Sequence, residues 1–139
     1  MLNLPQCHYR ISIKGLLLDE TRTKFLITQE DNGKWCLPGG GLEHDEEPRG
    51  ALRREVKEEM GIEVTWIAEA PCFFLACENK SGEYEWVANV FYEIKVEHLN
   101  FTPSDECVAV HFATAEEVLS LPARPAVYKF AKLFKNSKN

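Results

Sequence analysis

The chain predicts an α+β fold, a mixed-sheet sandwich with helices packed on it. Apolar and polar residues alternate at strand period near the start of the chain and again from Tyr84 to Val96. Between those stretches Leu52, Val56 and Met60 recur every four residues, as one face of a helix does. Two more helical stretches close the chain, so the order is strands, one helix, strands, two helices. No repeat and no low-complexity linker divides the 139 residues. One domain, 1–139, is expected, with an ordered core from about residue 5 to about residue 134.

His8 to Leu18 reads as the first strand, with Tyr9, Ile11 and Ile13 on one face and His8, Arg10, Ser12 and Lys14 on the other. After the polar turn Asp19-Glu20-Thr21-Arg22, Lys24 to Thr28 is expected to return as its hairpin partner. Asp31-Asn32-Gly33 marks a turn, and Lys34 to Leu37 is a short extended piece. The first helix should begin near Glu47, because Pro48 suits a first turn whose N–H groups have no intrahelical partner. Asp45, Glu46 and Glu47 complement the positive end of its dipole, and Gly61 supplies the left-handed residue that ends it.

Strand material follows from Glu63 to Cys77, then the turn Asn79-Lys80-Ser81-Gly82. In the next strand Tyr84, Trp86, Ala88, Val90, Tyr92, Ile94 and Val96 share one face, and Glu85, Asn89, Glu93 and Lys95 share the other. Cys107 to Phe112 is a last strand. Thr114-Ala115-Glu116-Glu117 is a capping box opening a short helix to Leu119. Pro125 starts the final helix, which runs to about Phe134 before a frayed tail.

Charge and cysteine usage narrow the function classes. A net charge of −6 argues against a stable nucleic-acid complex, which needs a basic face. No apolar run reaches the roughly 18 residues of a membrane span, so a cytoplasmic protein without a membrane partner is expected, as monomer or homodimer. The five cysteines show neither C-x-x-C pairs nor zinc-ligand spacing and read as small buried hydrophobes in a reducing compartment.

Glu55, Glu58 and Glu59 stand at i, i+3 and i+4, on one helical face. Like charges so placed destabilise an isolated helix by about 0.2–0.5 kcal/mol per pair, so the face is either fully solvated or neutralised by cations. Several carboxylates beside a glycine turn, Leu37-Pro38-Gly39-Gly40-Gly41, describe a hard-metal site in which a backbone group can join the side chains. Arg54 can hold a neighbouring carboxylate bidentately.

These residues match a longer pattern. Gly40, Glu46, Arg54-Glu55-Val56, Glu58-Glu59 and Gly61-Ile62 fit G-x5-E-x7-R-E-U-x-E-E-x-G-U, with U a bulky aliphatic, at every defined position. That is the signature of the Nudix hydrolases, which the chain resembles over nearly its whole length; Trp35-x-Leu37-Pro38-Gly39-Gly40 ahead of the box is also typical. The resemblance implies an αβα sandwich with the box as loop–helix–loop. It implies hydrolysis of nucleoside diphosphates linked to another moiety, by water attack at phosphorus with Mg²⁺ or Mn²⁺. By position, Glu55 and Glu59 resemble the principal metal ligands, with Glu58 in the same cluster and the Gly39 carbonyl as a backbone ligand. Arg54 and Glu46 resemble the supporting pair. Glu106, six residues before Phe112, fits the later carboxylate that serves as further ligand or general base, with Asp105 the neighbouring alternative.

A diphosphate approaching three carboxylates meets repulsion of about 4 kcal/mol per charge pair at 4 Å and an effective dielectric near 20. Metal dependence is therefore expected to be absolute. Arg10, Arg124 and Phe74 are candidate substrate contacts, with Phe73, Trp86 and Phe91 as further aromatics for base stacking. The compact length resembles the MutT-like group, which converts a (d)NTP to monophosphate and pyrophosphate. ADP-ribose, dinucleoside polyphosphates, nucleotide sugars and a non-catalytic nucleotide-binding role on the same fold are the alternatives.

Overall fold

The computed structural model describes residues 8–79 and 86–137. In chain order they form β1 (Arg10–Leu16), β2 (Phe25–Gln29), β3 (Trp35–Cys36), β4 (Gly39–Gly41), α1 (Pro48–Met60), β5 (Val64–Ile67), β6 (Phe73–Glu78), β7 (Trp86–Val96), β8 (Ala109–Ala113), α2 (Ala115–Val118) and α3 (Pro125–Asn136). One sheet runs β4-β1-β7-β5, with β6 also on β7, and a second runs β3-β2-β8. β1 and β7 are parallel; every other strand pair is antiparallel.

Two cores flank the sheets. On one side Leu52, Val56 and Met60 of α1 pack with Ile13, Leu26, Tyr92 and Ile94. On the other, Val127, Phe130 and Phe134 of α3 pack with Phe25, Leu75 and Phe91. Phe130 stacks on Phe91 at 4.5 Å and meets Phe25 edge-on at 5.0 Å. Such aromatic pairs add about 0.5–1.5 kcal/mol each beyond their burial. The result is an αβα sandwich, and the helix start at Pro48 and stop at Gly61, which takes φ 67°, fall where the sequence puts them.

Several sequence expectations change. Lys24 to Thr28 pairs with the first strand only at its end, where Leu18 bridges Phe25 and Leu26 N donates to Leu17 O at 2.9 Å; beyond the turn β1 joins β4 and β7 while β2 joins β3 and β8. The turn is local, but each strand finds a larger apolar surface in a different sheet. Tyr9 and Ile11 are exposed, whereas Ser12 on the supposed polar face is buried. β7 is not amphipathic either, since Asn89 and Phe91 are buried on one face and Ala88, Tyr92 and Ile94 on the other. As the central strand it is covered on both sides. Phe91 is therefore core and not a stacking surface.

The last helix continues past Phe134 to Asn136. Thr114 caps α2 by accepting from Glu117 N at 3.1 Å, but the Glu117 carboxylate turns to His111 and completes no capping box. Cys77 and Cys107 are buried, as expected, while Cys72 is exposed. Tyr84, Glu85, Cys7 and most of the turn before β7 lie outside the described residues. Among the described residues no helix is long and apolar enough to cross a membrane.

Candidate active site

The phase of α1 is set at its first turn, where the Glu47 carboxylate accepts from Gly50 N at 2.9 Å and Pro48 fixes the entry. That phase sends Leu52 and Val56 into the core and brings Glu55 and Glu59 against the glycines of β4. A Cβ on Gly40 would lie 2.6 Å from the Glu55 carboxyl carbon, so only glycine lets that carboxylate rest there. Gly39 is held at φ 122° with Ile13 O where a Cβ would stand, and its N–H donates to Glu59 Oε1 at 3.0 Å. Backbone conformation and close approach both require glycine at this position.

Arg54 ties the box together. Its guanidinium binds Glu46 bidentately at 2.7 and 3.0 Å, then reaches Glu55 at 3.1 Å and Glu58 at 3.3 Å. This arginine holds Glu46 below the usual carboxylate range and is itself kept firmly charged, chiefly by Glu46. At the far end of α1, Ser104 Oγ donates to Glu59 O at 2.8 Å and Thr102 N to Met60 O at 2.7 Å. These bonds satisfy helix-end carbonyls and carry Asp105 and Glu106 over the same face. Glu55, Glu59, Asp105, Glu106, Gly39 and Lys14 all line one cavity of about 310 Å³.

The acidic face is not simply solvated, as the sequence allowed. Glu59 is 7% exposed, and burial pushes its carboxyl up to about 7. Lys14 and Gly39 N–H pull it down; Glu55 and Glu106 push it up. Burial also raises Glu55, against the pull of Arg54. Glu58 is the exposed member, turned to Arg54.

A second, larger cavity of about 680 Å³ adjoins the first, between the β1–β7–β6 surface and the N-terminus of α3. Lys14, Cys36 and Leu37 line both. Arg124 stands in the larger one, bound bidentately by Glu30 at 2.7 and 2.8 Å. This pair draws Glu30 down to about 2, while burial and Glu30 push Cys36 up to about 12. Trp86 also lines the larger cavity. Arg10 lies over Gly41 and donates to Leu42 O at 2.7 Å, and neither it nor Phe74, which is 62% exposed, lines either cavity. Phe73 packs edge-on against Phe130.

Sequence reasoning passed over Lys14, Glu30, Ser12, Asn89 and Ser104. Lys14 carried a usable signal, a cation on the polar face of the strand next to the glycine turn. The others depend on pairings that no local pattern reveals.

Residues 8–134 match the NUDIX domain. The chain belongs to that family. A MutT-like protein of Streptomyces ambofaciens is 45% identical over 60 residues, 43% of this chain and 38% of that protein. An 8-oxo-dGTP diphosphatase of Proteus vulgaris is 40% identical over 55 residues, 37% and 49% respectively. These matches span less than half the length of either relative. Among solved structures, a MutT protein from Methanosarcina mazei Go1 aligns over 100% of both chains at TM-score 0.77 and 24% identity. The E. coli ORF135 protein aligns over 92% of this chain and 89% of its own at TM-score 0.72 and 24% identity. At that identity the likeness establishes the fold, here a NUDIX sandwich.

Oxygen donors around the smaller cavity are the kind that Mg²⁺ or Mn²⁺ takes. Among the described residues, no three such side chains are gathered tightly enough to hold an ion as they stand. Glu58 is engaged by Arg54 and Glu106 sits on a loop. The donor chemistry fits a divalent cation, with the ligand set still to close.

Proposed function

We propose that this NUDIX domain is a metal-dependent pyrophosphohydrolase acting on a nucleoside diphosphate linked to another moiety, with a (d)NTP, cleaved to monophosphate and pyrophosphate, as the favoured substrate. One observation carries the reading: the buried Glu59 and half-buried Glu55 share a cavity with Asp105 and Glu106, and Lys14 lines both that cavity and the larger one beside it. Phosphates fit the carboxylate side and the organic moiety the larger side. The 8-oxo-dGTP diphosphatase among the relatives supports the nucleotide class.

Glu55 and Glu59 would hold the metal, with Glu58 and the Gly39 carbonyl completing the set. Bound there, Mg²⁺ or Mn²⁺ supplies positive charge against the phosphates and polarises a water at neutral pH. Arg54 orients Glu55 and, through Glu46, fixes the loop ahead of α1. Glu106 would take a proton from the attacking water, with Asp105 the alternative. Lys14 offsets charge where the two cavities meet.

The test is a panel of (d)NTPs, oxidised nucleotides, ADP-ribose, dinucleoside polyphosphates and nucleotide sugars with millimolar Mg²⁺. Monophosphate plus pyrophosphate from one triphosphate, abolished by EDTA, is the expected result. Silence across the panel by a protein that binds Mg²⁺ would remove the triphosphate reading in favour of the non-catalytic one.

A further inference from the structure

The larger cavity has a polar floor that the chemistry above does not use. Asn89 of β7 is 2% exposed and Ser12 of β1 is 7% exposed. The two are direct cross-strand partners in the parallel β1–β7 pairing, and both line the cavity. Leu75, the partner of Asn89 on the other side, belongs to the α3-side core, so this floor faces α3. The Asn89 carboxamide makes one contact to the described residues, a long 3.5 Å approach to Val87 O, and the Ser12 hydroxyl makes no hydrogen bond to them. The surrounding wall is largely apolar, including Leu37, Val87 and Val127. A carboxamide offers two donors and an acceptor, and here they border the cavity with little protein hydrogen bonding to occupy them.

We propose that Asn89, assisted by Ser12, determines which base this site accepts. It would do so by bidentate hydrogen bonding to the edge of a planar heterocycle with adjacent donor and acceptor groups. The inference rests on the nucleotide reading above but concerns the end of the substrate remote from the carboxylates. An amide placed for bidentate reading discriminates between bases by about tenfold to a hundredfold. A wrong base leaves the same buried groups unpaired.

The test compares wild type, Asn89→Leu and Asn89→Asp with the common (d)NTPs for kcat/KM. In parallel, calorimetry measures binding of the corresponding nucleoside monophosphates to EDTA-treated protein. Wild type should favour one base at least about tenfold over the poorest. In Asn89→Leu that ratio should fall towards one, through KM more than kcat, and Asn89→Asp should change which base is preferred. An unchanged preference in either folded variant overturns the proposal. Should wild type hydrolyse no triphosphate, the catalytic reading fails alone, and calorimetry decides this one. About tenfold weaker monophosphate binding in the variants upholds it. Equal binding, or none by wild type, overturns it.

Discussion

The two adjoining cavities are built from opposite materials. The smaller one is lined by carboxylates from α1, from the segment after β2 and from the loop before β8, and its deepest acid, Glu59, is pushed up to about 7 by burial. The larger one draws on β1, β6, β7 and α3, and its Arg124 reaches across to Glu30 in the wall of the smaller cavity, drawing that carboxyl down to about 2. The first gathers more carboxylates than Lys14 and the neighbouring Arg54 offset, which suits a cation. The second sets Lys14, Lys34, Arg124 and Lys129 against one acid, Glu78, around an uncharged polar floor. On the proposed function the two divide the work, with chemistry on one side of Lys14 and recognition on the other.

The sharpest way to break this division is Glu59→Gln. The amide keeps the shape and can still accept from Gly39 N, so the fold should survive while kcat falls by on the order of a hundredfold to a thousandfold. Circular dichroism with steady-state kinetics checks both halves, and a fully active variant would detach Glu59 from catalysis. Leu52→Ala, on the buried stripe of the same helix, should instead cost about 2–5 kcal/mol in urea unfolding. Its activity loss should track the unfolded fraction.

Gly40→Ala separates position from charge, because the added methyl meets the end of a flexible side chain, the Glu55 carboxylate. Activity should fall about tenfold or more with little change in Tm, since carboxylate placement matters to within about 0.5 Å. A drop in Tm as large as that of Leu52→Ala would show that the glycine serves the fold instead.

Acid and base should distinguish Glu59 from the Glu30–Arg124 pair with opposite sign. Glu59 has a raised carboxyl, so its contribution to metal-free stability is full below about 4.5 and is lost as pH rises through about 7. Added Mg²⁺ should reverse that loss. Glu30 has a depressed carboxyl, so its contribution is present above about 4.5 and is lost as pH falls towards about 2. Melting curves of Glu59→Gln and Glu30→Gln against pH should each flatten one limb only. This is the smallest of the expected effects, since the Glu30–Arg124 pair is partly open to solvent.

The contrast also explains what could be read in advance. Glu55, Glu58 and Glu59 sit on one continuous helix with a proline start and a glycine stop, so spacing alone fixed their relation. Asn89 and Ser12 are 77 positions apart and meet only because β1 and β7 pair in parallel. No local alternation encodes that, and the hairpin expected between β1 and β2 pointed away from it. β7 misled for a related reason: a strand covered on both faces carries buried residues at odd and even positions alike, so Asn89 was grouped with Glu85, Glu93 and Lys95 on a polar face. Ser104 escaped notice because its partner is a backbone carbonyl, which sequence does not display.

That same parallel pairing governs when the site comes into being. Residues 10–16 must wait for residues 87–93 before their sheet can close, and closing so long a loop is entropically slow. During synthesis the carboxylates of α1 leave the ribosome well before β7 does. Until the central strand arrives, Lys14 has no anchored place beside Glu59 and the floor beneath the larger cavity is missing. A partly made chain thus carries the acidic helix before it has either the loop of Asp105 and Glu106 or the strand that floors the larger cavity.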